Sequence, residues 1–370
     1  MESRHKKYVQ DLLKKADIEI GGTRPWDMVV HDERLYKRVI SKGSLGLGEA
    51  YMDGWWDVKE LDQFFHKAIS AGLGKEIEYN FSSLFVYLTS FLSNGQKKNP
   101  FKVGEEHYDT GNDLFEKMLD KRMVYTCGYW KDADSLDKAQ EDKLDMVCRK
   151  IGLSSGQSVL DIGCGWGSYL KFAAEKYGAK GFGVTVSKEQ AQFIESNKGN
   201  LPINVFLQDY KDVEGKFDHV ISLGMFEHVG RKNYRTYMEK AREVLSDEGV
   251  FLLHTIGKDK SSVSIDPWIE KYIFPHGFIP SYKEIAEAAD GLFVMEDWHN
   301  FGPDYDKTLM AWFHNFDKHW PELKDKYGDR FYRMWKYYLL SCAGAFRSRK
   351  IELWQIVFSK KGIPGGFKGR

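Results

Sequence analysis

Asp161-Ile162-Gly163-Cys164-Gly165-Trp166-Gly167 places one carboxylate and three alternating glycines directly after the apolar pair Val159-Leu160. An apolar run ending in such a turn reads as a buried parallel strand that breaks into a loop and then a helix, starting near Ser168. Glycine permits the tight turn and lets the backbone approach a ligand. The helix start offers N–H groups without intrahelical partners. The chemistry implied is that of a nucleotide-type cofactor site. Further along, Gln208-Asp209-Tyr210, Gly224-Met225-Phe226-Glu227-His228-Val229 and His254-Thr255-Ile256-Gly257 each close an apolar run. Polar and titratable side chains thus stand where a parallel sheet collects its ligands.

The second strand, Gly181 to Val186, helps to separate two kinds of cofactor. A dinucleotide-binding domain carries Asp or Glu near that strand's end to hold ribose hydroxyls. This chain reads Thr185-Val186-Ser187-Lys188-Glu189-Gln190 there. The spacing Asp-x-Gly-x-Gly-x-Gly also differs from Gly-x-Gly-x-x-Gly. Both features resemble S-adenosylmethionine-dependent methyltransferases more than NAD enzymes.

The elements that must position these residues alternate from about residue 101 onward. Strands are expected near 158–162, 181–186, 203–208, 218–223, 249–256, 292–299 and 353–359, with helices between them and a long aromatic helix from Phe331 to Phe346. Such alternation means a mostly parallel sheet covered on both faces. Residues 1–92 form a separate block. Tyr8, Val9, Leu12, Leu13 and Ala16 make a helical stripe, and Phe81, Leu84, Phe85, Leu88, Phe91 and Leu92 make another. The latter suits a core face or a membrane-surface face equally. Gly43 to Trp56 (GSLGLGEAYMDGWW) lacks the Lys-Ser/Thr of a phosphate loop. A polar, basic stretch ending in Pro100 marks a linker, placed at 93–104, with the catalytic domain at 105–370.

Bulk properties narrow the partners. The 370 residues carry zero formal net charge, which argues against nucleic acid, since phosphate binding wants a basic face. The 15% aromatic content exceeds ordinary core needs and suits an apolar ligand tunnel. Cys127, Cys148, Cys164 and Cys342 show no paired spacing, so reduced thiols are expected and no metal is implied. The N-terminus has no long apolar region, and no apolar run approaches the ~20 residues needed to cross a bilayer. A cytoplasmic protein with peripheral membrane contact is the expectation.

These strand-end motifs, together with His107-Tyr108-Asp109-Thr110-Gly111-Asn112-Asp113, Tyr125-Thr126-Cys127-Gly128-Tyr129-Trp130, Asp266 to Gly277, Glu296 to Trp312 and Cys342 to Arg347, resemble the cyclopropane-fatty-acyl-phospholipid synthase family over nearly the whole chain. That family includes the mycolic acid cyclopropane synthases. The GSLGLGEAYMDGWW segment and the linker are similar to the bacterial form with an extra N-terminal domain. The resemblance implies an α/β, class I S-adenosylmethionine-dependent methyltransferase fold: Rossmann-like, with a mostly parallel seven-stranded sheet and a smaller, mainly helical N-terminal domain for lipid docking or dimer formation. It implies transfer of a methylene unit from S-adenosylmethionine to the cis double bond of an unsaturated phospholipid acyl chain, forming a cyclopropane ring, at the inner face of the membrane, by a homodimer.

By the same resemblance the base is a bound bicarbonate, held by the side chains of Glu227, His254 and Tyr305 and the backbone of Cys127 and Ile256. Asp161, Gly163 and Gly165 approach the methionine part of the cofactor. Thr185 and Gln190 reach the ribose, Gln208, Asp209 and Tyr210 meet the adenine, and Tyr125 and Thr126 close over it. Tyr125, Tyr129, Trp130, Tyr210 and Phe226 are candidates for aromatic walls around cationic centres. Many family members read Ser-Cys-Ala where this chain has Thr126-Cys127-Gly128; the hydroxyl is kept. Cys342 is a further candidate as a channel-lining thiol.

Plainer roles exist for each residue. His254 alone fits a core histidine with satisfied hydrogen bonds. Glu227 fits a carboxylate favoured at a helix start. His107 fits a structural or lid residue. Cys342 has no evident base beside it, and cysteine is often simply buried. Two rival functions stand beside the main one: a methyltransferase acting on a lipid head group or small molecule without ring closure, and a non-catalytic lipid-binding protein.

Overall fold

The computed structural model describes residues 4–73, 111–262 and 265–369. The chain forms two compact units. One gathers Met1–Asn94, Ser262–Pro275 and Tyr305–Ile351; the other gathers Gly95–Ser261, His276–Asp304 and Glu352–Arg370. The helical unit is therefore not confined to the first 92 residues. The expected linker, the Phe81–Leu92 stripe and His107 to Thr110 lie outside the described residues.

The helical unit holds helices Arg4–Lys15, Arg34–Met52, Leu61–Ser70, Pro267–Tyr272 and most of Pro303–Arg347, with a short antiparallel pair, β1 (Val29–Val30) and β2 (Trp56–Asp57). Val9, Leu12, Leu13 and Ala16 are buried as their spacing demands, whereas Tyr8 is exposed. The glycine-rich segment is a packing device. Gly43 interrupts its helix with a φ of 56°. A Cβ at Gly48 would come within 2.3 Å of the Trp268 ring, so only glycine admits that fully buried indole. Tyr51, Trp56, Phe64, Phe65 and Tyr337 form a chain of ring contacts with centroids 5.0–5.5 Å apart. The aromatic helix expected from Phe331 is the second part of a longer element, Pro303–Arg347, broken where Gly328 takes a φ of 76°. Its first part was hidden by Pro321 and a run of charged residues.

The other unit is built on a seven-stranded sheet: β3 (Ser158–Ile162), β4 (Lys180–Thr185), β5 (Ile203–Leu207), β6 (Phe217–Leu223), β7 (Leu245–Gly257), β8 (Val294–Asn300) and β9 (Glu352–Ser359). Each expected strand overlaps one of these. The order is β5-β4-β3-β6-β7-β9-β8, with β9 antiparallel to both neighbours and the pairs β5-β4, β4-β3, β3-β6 and β6-β7 parallel. Alternate residues feed two cores, as strand geometry requires. Leu160, Ile162, Val220, Phe251 and Ile356 serve one face, and Val159, Ile221, Leu252 and Val357 the other. Strand order reverses at β3, between β4 and β6, which opens a crevice at the carboxyl ends of these strands. Among the described residues no helix is long and apolar enough to cross a membrane.

Candidate active site

The turn after β3 supplies the floor of the crevice. Gly163, Gly165 and Gly167 all take positive φ (84°, 54° and 74°), and Gly167 caps the helix Ser168–Tyr177. A Cβ at Gly163 would stand 2.7 Å from Met225, which belongs to the turn after β6. The glycine thus lets the two loops at the switch point touch. Tyr125, Thr126, Asp161, Gly163, Gly165, Thr185, Gln190, Gln208, Asp209 and Tyr210, the ten candidate cofactor residues, all line this one cavity.

Several devices fix the lining. Thr185 donates through Oγ1 to Gln190 Oε1 at 2.8 Å, and Ser187 caps the helix Lys188–Asn197 through the Gln190 N–H. Asp120 accepts from the backbone N–H groups of Arg122 (3.0 Å) and Val124 (2.8 Å), which sets the approach to Tyr125 and Thr126. Phe115 wedges between Tyr125 and Trp166 at 5.1 and 4.9 Å. From the helix Leu136–Lys150, Gln140 donates to the Thr126 carbonyl and Lys143 Nζ to Thr126 Oγ1, both at 2.7 Å. Gly128 has a local reason to lack a methyl, since a Cβ there would sit 3.0 Å from Ala139.

A second group stands at the ends of β6 and β7. The Gly224 N–H donates to the His254 carbonyl, which joins these strand ends. Glu227 lies in a single 3-10 turn, Phe226–His228, and its Oε1 accepts from the Ile256 N–H at 2.6 Å. Its Oε2 is buried with no protein partner. Burial pushes the Glu227 carboxyl up to about 7, with the Ile256 N–H opposing. His254 Nδ1 faces the side-chain amide of Gln355 at 3.3 Å, while Nε2 is buried with no protein partner. Burial holds His254 well below the usual histidine range, helped by Lys143 and Lys150, so the ring is neutral. With Nδ1 accepting from Gln355, Nε2 carries the hydrogen. Glu227 and His254 therefore both keep unspent polar atoms.

Other candidates fall elsewhere. Cys127 is fully buried and its Sγ donates to the Gly128 carbonyl. Phe226 is not a cavity wall; it stacks on Tyr234 at 4.2 Å inside the core. Tyr129 packs against His299 and Phe301, and the Trp130 N–H donates to Asp304. Tyr305 and Cys342 belong to the helical unit, where Tyr305 packs on Phe346 and Trp312. Burial pushes the Cys342 thiol up to about 12, with Asp266 adding to the effect. Lys143 lines the cavity and was missed by the sequence reading. Its signal was a lysine on the same helical face as Ala139, Gln140, Leu144 and Val147, all buried.

The arrangement matches known proteins. A family model described as mycolic acid cyclopropane synthetase matches residues 95–356. The cyclopropane-fatty-acyl-phospholipid synthase of Escherichia coli (strain K12) is 51% identical over 359 residues, covering 97% of this chain and 94% of its own. The solved cyclopropane synthase MmaA2 from Mycobacterium tuberculosis aligns with a TM-score of 0.67 at 29% identity, over 71% of this chain and 99% of that one. Mycolic acid cyclopropane synthase CmaA1, complexed with SAH and CTAB, gives 0.65 at 30% identity, again over 71% and 99%. The seven-stranded sheet is that of a class I S-adenosylmethionine-dependent methyltransferase, and the chain belongs to the mycolic acid cyclopropane synthetase family.

Proposed function

We propose that this chain is an enzyme that transfers a methylene group from S-adenosylmethionine to the cis double bond of unsaturated phospholipid acyl chains, closing a cyclopropane ring. The observation that carries this reading is the 51% identity to the Escherichia coli phospholipid enzyme over 97% of the chain. The cavity fits the cofactor. Its glycine turn leaves room for a close ligand, and the buried Asp161 Oδ1 has no protein partner there. S-adenosylmethionine supplies an electrophilic methyl on a sulfonium. Asp161, Gly163 and Gly165 hold its amino-acid part, Thr185 and Gln190 the ribose, and Gln208, Asp209 and Tyr210 the adenine, with Tyr125 and Thr126 covering it.

Bicarbonate supplies the base. The residues suit an anion: His254 Nε2 donates, and Glu227, with its raised carboxyl, keeps a proton to donate from Oε2. Cys127 and Ile256 contribute backbone groups. The assignment of Tyr305 rests on the family resemblance. Apolar walls exclude water from the cationic stage, which would otherwise be trapped as an alcohol.

The protein works in the cytoplasm as a homodimer touching the inner face of the membrane, with residues 1–92 docking lipid or pairing subunits and 105–370 catalysing. Vesicle co-sedimentation and light scattering test these points.

The decisive test of the reaction uses unsaturated phospholipid vesicles and S-adenosylmethionine with a fully deuterated methyl. Lipid mass spectrometry should show one added methylene carrying two deuteriums and loss of the double bond. Three retained deuteriums would mean methyl transfer without ring closure. Unlabelled lipid alongside proven cofactor binding would favour a small-molecule methyltransferase.

A further inference from the structure

Two ionisable side chains, one acidic and one basic, are buried against one cavity with no hydrogen bond or salt bridge between them. Asp161, at the end of β3, is 2% exposed, and its Oδ1 has no hydrogen-bond partner. Lys143 is fully buried, and its Nζ donates to Thr126 Oγ1 at 2.7 Å. Among the described residues it forms no ion pair. Burial raises the Asp161 carboxyl to about 7, with Lys143 opposing. An ammonium and a carboxyl group held beside a cavity without a direct bond to each other are both stabilised by a ligand that brings the complementary charges. A ligand that satisfies both carries a cationic and an anionic group together, as an α-amino acid does.

Thr126 links the two requirements. Its carbonyl is held by Gln140 and its hydroxyl oxygen by Lys143, two residues three apart on one helix face. With an oxygen lone pair taken by the ammonium, the hydroxyl proton is left to donate into the cavity that Thr126 lines. Burial pulls Lys143 down to about 8, with Asp120, Cys127 and Asp161 opposing, so it remains mainly a cation near neutrality.

We propose that Lys143 is the carboxylate anchor of the cofactor site: with the Thr126 hydroxyl it holds the carboxylate of the amino-acid tail, while Asp161 holds the tail's ammonium group. This rests on the reading that the cavity takes S-adenosylmethionine. It makes the pocket selective for the intact zwitterion over adenosyl compounds that lack the carboxylate.

The test is titration calorimetry on the full chain with S-adenosylmethionine, decarboxylated S-adenosylmethionine and 5′-methylthioadenosine. The wild type should prefer the intact cofactor to the decarboxylated one by about 10–100-fold, the worth of a charged hydrogen bond. Lys143→Met should weaken the intact cofactor by about that factor and leave the other two within about 3-fold. Thr126→Val should reduce the preference in the same direction and serves if Lys143→Met does not fold. Equal weakening of all three ligands would assign Lys143 to structure alone and overturn the proposal, as would a wild-type preference below about 3-fold. If the wild type binds 5′-methylthioadenosine but shows no such preference, only the anchor fails. If it binds none of the three, the cofactor reading fails with it.

Discussion

The backbone N–H of Ile256, near the end of β7, reaches one oxygen of Glu227, in the turn after β6, and leaves the other oxygen without a protein partner. One carboxylate thus joins two strand ends while keeping an acceptor, or a proton, for a ligand. Glu227→Gln preserves the shape and the Ile256 contact but cannot exchange a proton. Turnover should fall by about 10²–10⁴-fold, the usual worth of a positioned acid or base, with cofactor affinity unchanged. Steady-state kinetics on labelled lipid, with calorimetry on S-adenosylhomocysteine, would check this; unchanged turnover would remove Glu227 from the chemistry.

The same carboxyl carries a pH signature. Its folded value is raised to about 7 from an ordinary 4.5. Below the ordinary value both states hold the proton and nothing changes. As pH climbs through this window the unfolded chain releases the proton while the folded protein keeps it, so stability is lost, on the order of 3 kcal/mol by pH 8. Glu227→Gln should match the wild type near pH 4.5 and become relatively more stable toward pH 8. Urea unfolding at a series of pH values reads the difference.

Gly163 and Gly165 should respond differently to alanine. Both have positive φ, but a methyl at Gly163 meets Met225, while at Gly165 it meets nothing within 4 Å. Gly163→Ala should cost about 1–3 kcal/mol and weaken adenosyl ligands strongly, and Gly165→Ala should cost about 1 kcal/mol. Thermal melts with and without S-adenosylhomocysteine separate the two.

Arg347 grips Asp306 through Nε (2.8 Å) and Nη2 (2.9 Å), and Asp62 through Nη1 (2.6 Å). Arg347→Met leaves two largely buried carboxylates without their cation. A loss of about 2–4 kcal/mol in urea unfolding is expected, with Asp306→Asn losing less because Asp62 keeps its partner.

The thiols should be slow. Burial pushes Cys148 and Cys342 up to about 12 and Cys164 well above its ordinary value, and Cys127 is fully buried. The thiolate is the reactive form. A disulfide-exchange reagent at pH 8 should therefore react far more slowly with the folded protein than with the urea-unfolded chain, which presents four thiols. Rapid reaction in the folded state would mean an accessible thiolate.

The sheet was legible because each central strand is an apolar run closed by glycine or a polar cluster, and period and punctuation there agree. Eight of the ten cavity residues were legible for the same reason: they stand at or just after strand ends, and Gly163, Gly165 and the unacidic end of β4 narrow the ligand. Tyr125 and Thr126 precede the sheet and were named only through the family resemblance. Lys143 was not legible, since a helical lysine is normally assigned to water. Its burial follows from Thr126, seventeen positions away along the chain. Phe226 was misread because neighbours in a 3-10 turn point apart, so Phe226 enters the core while Glu227 turns to the Ile256 N–H. The joining of 262–275 and 305–351 to the first 94 residues depends on fits such as Gly48 against Trp268, which no local pattern records.

That interleaving has a consequence for synthesis. Because the helical unit takes its segments from 1–94, 262–275 and 305–351, its first piece leaves the ribosome long before its last is made. The unit cannot close until residues 305–351 have emerged, while synthesis adds only about 5–20 residues per second. Until then its early helices wait with their aromatic faces uncovered, as chaperone clients do.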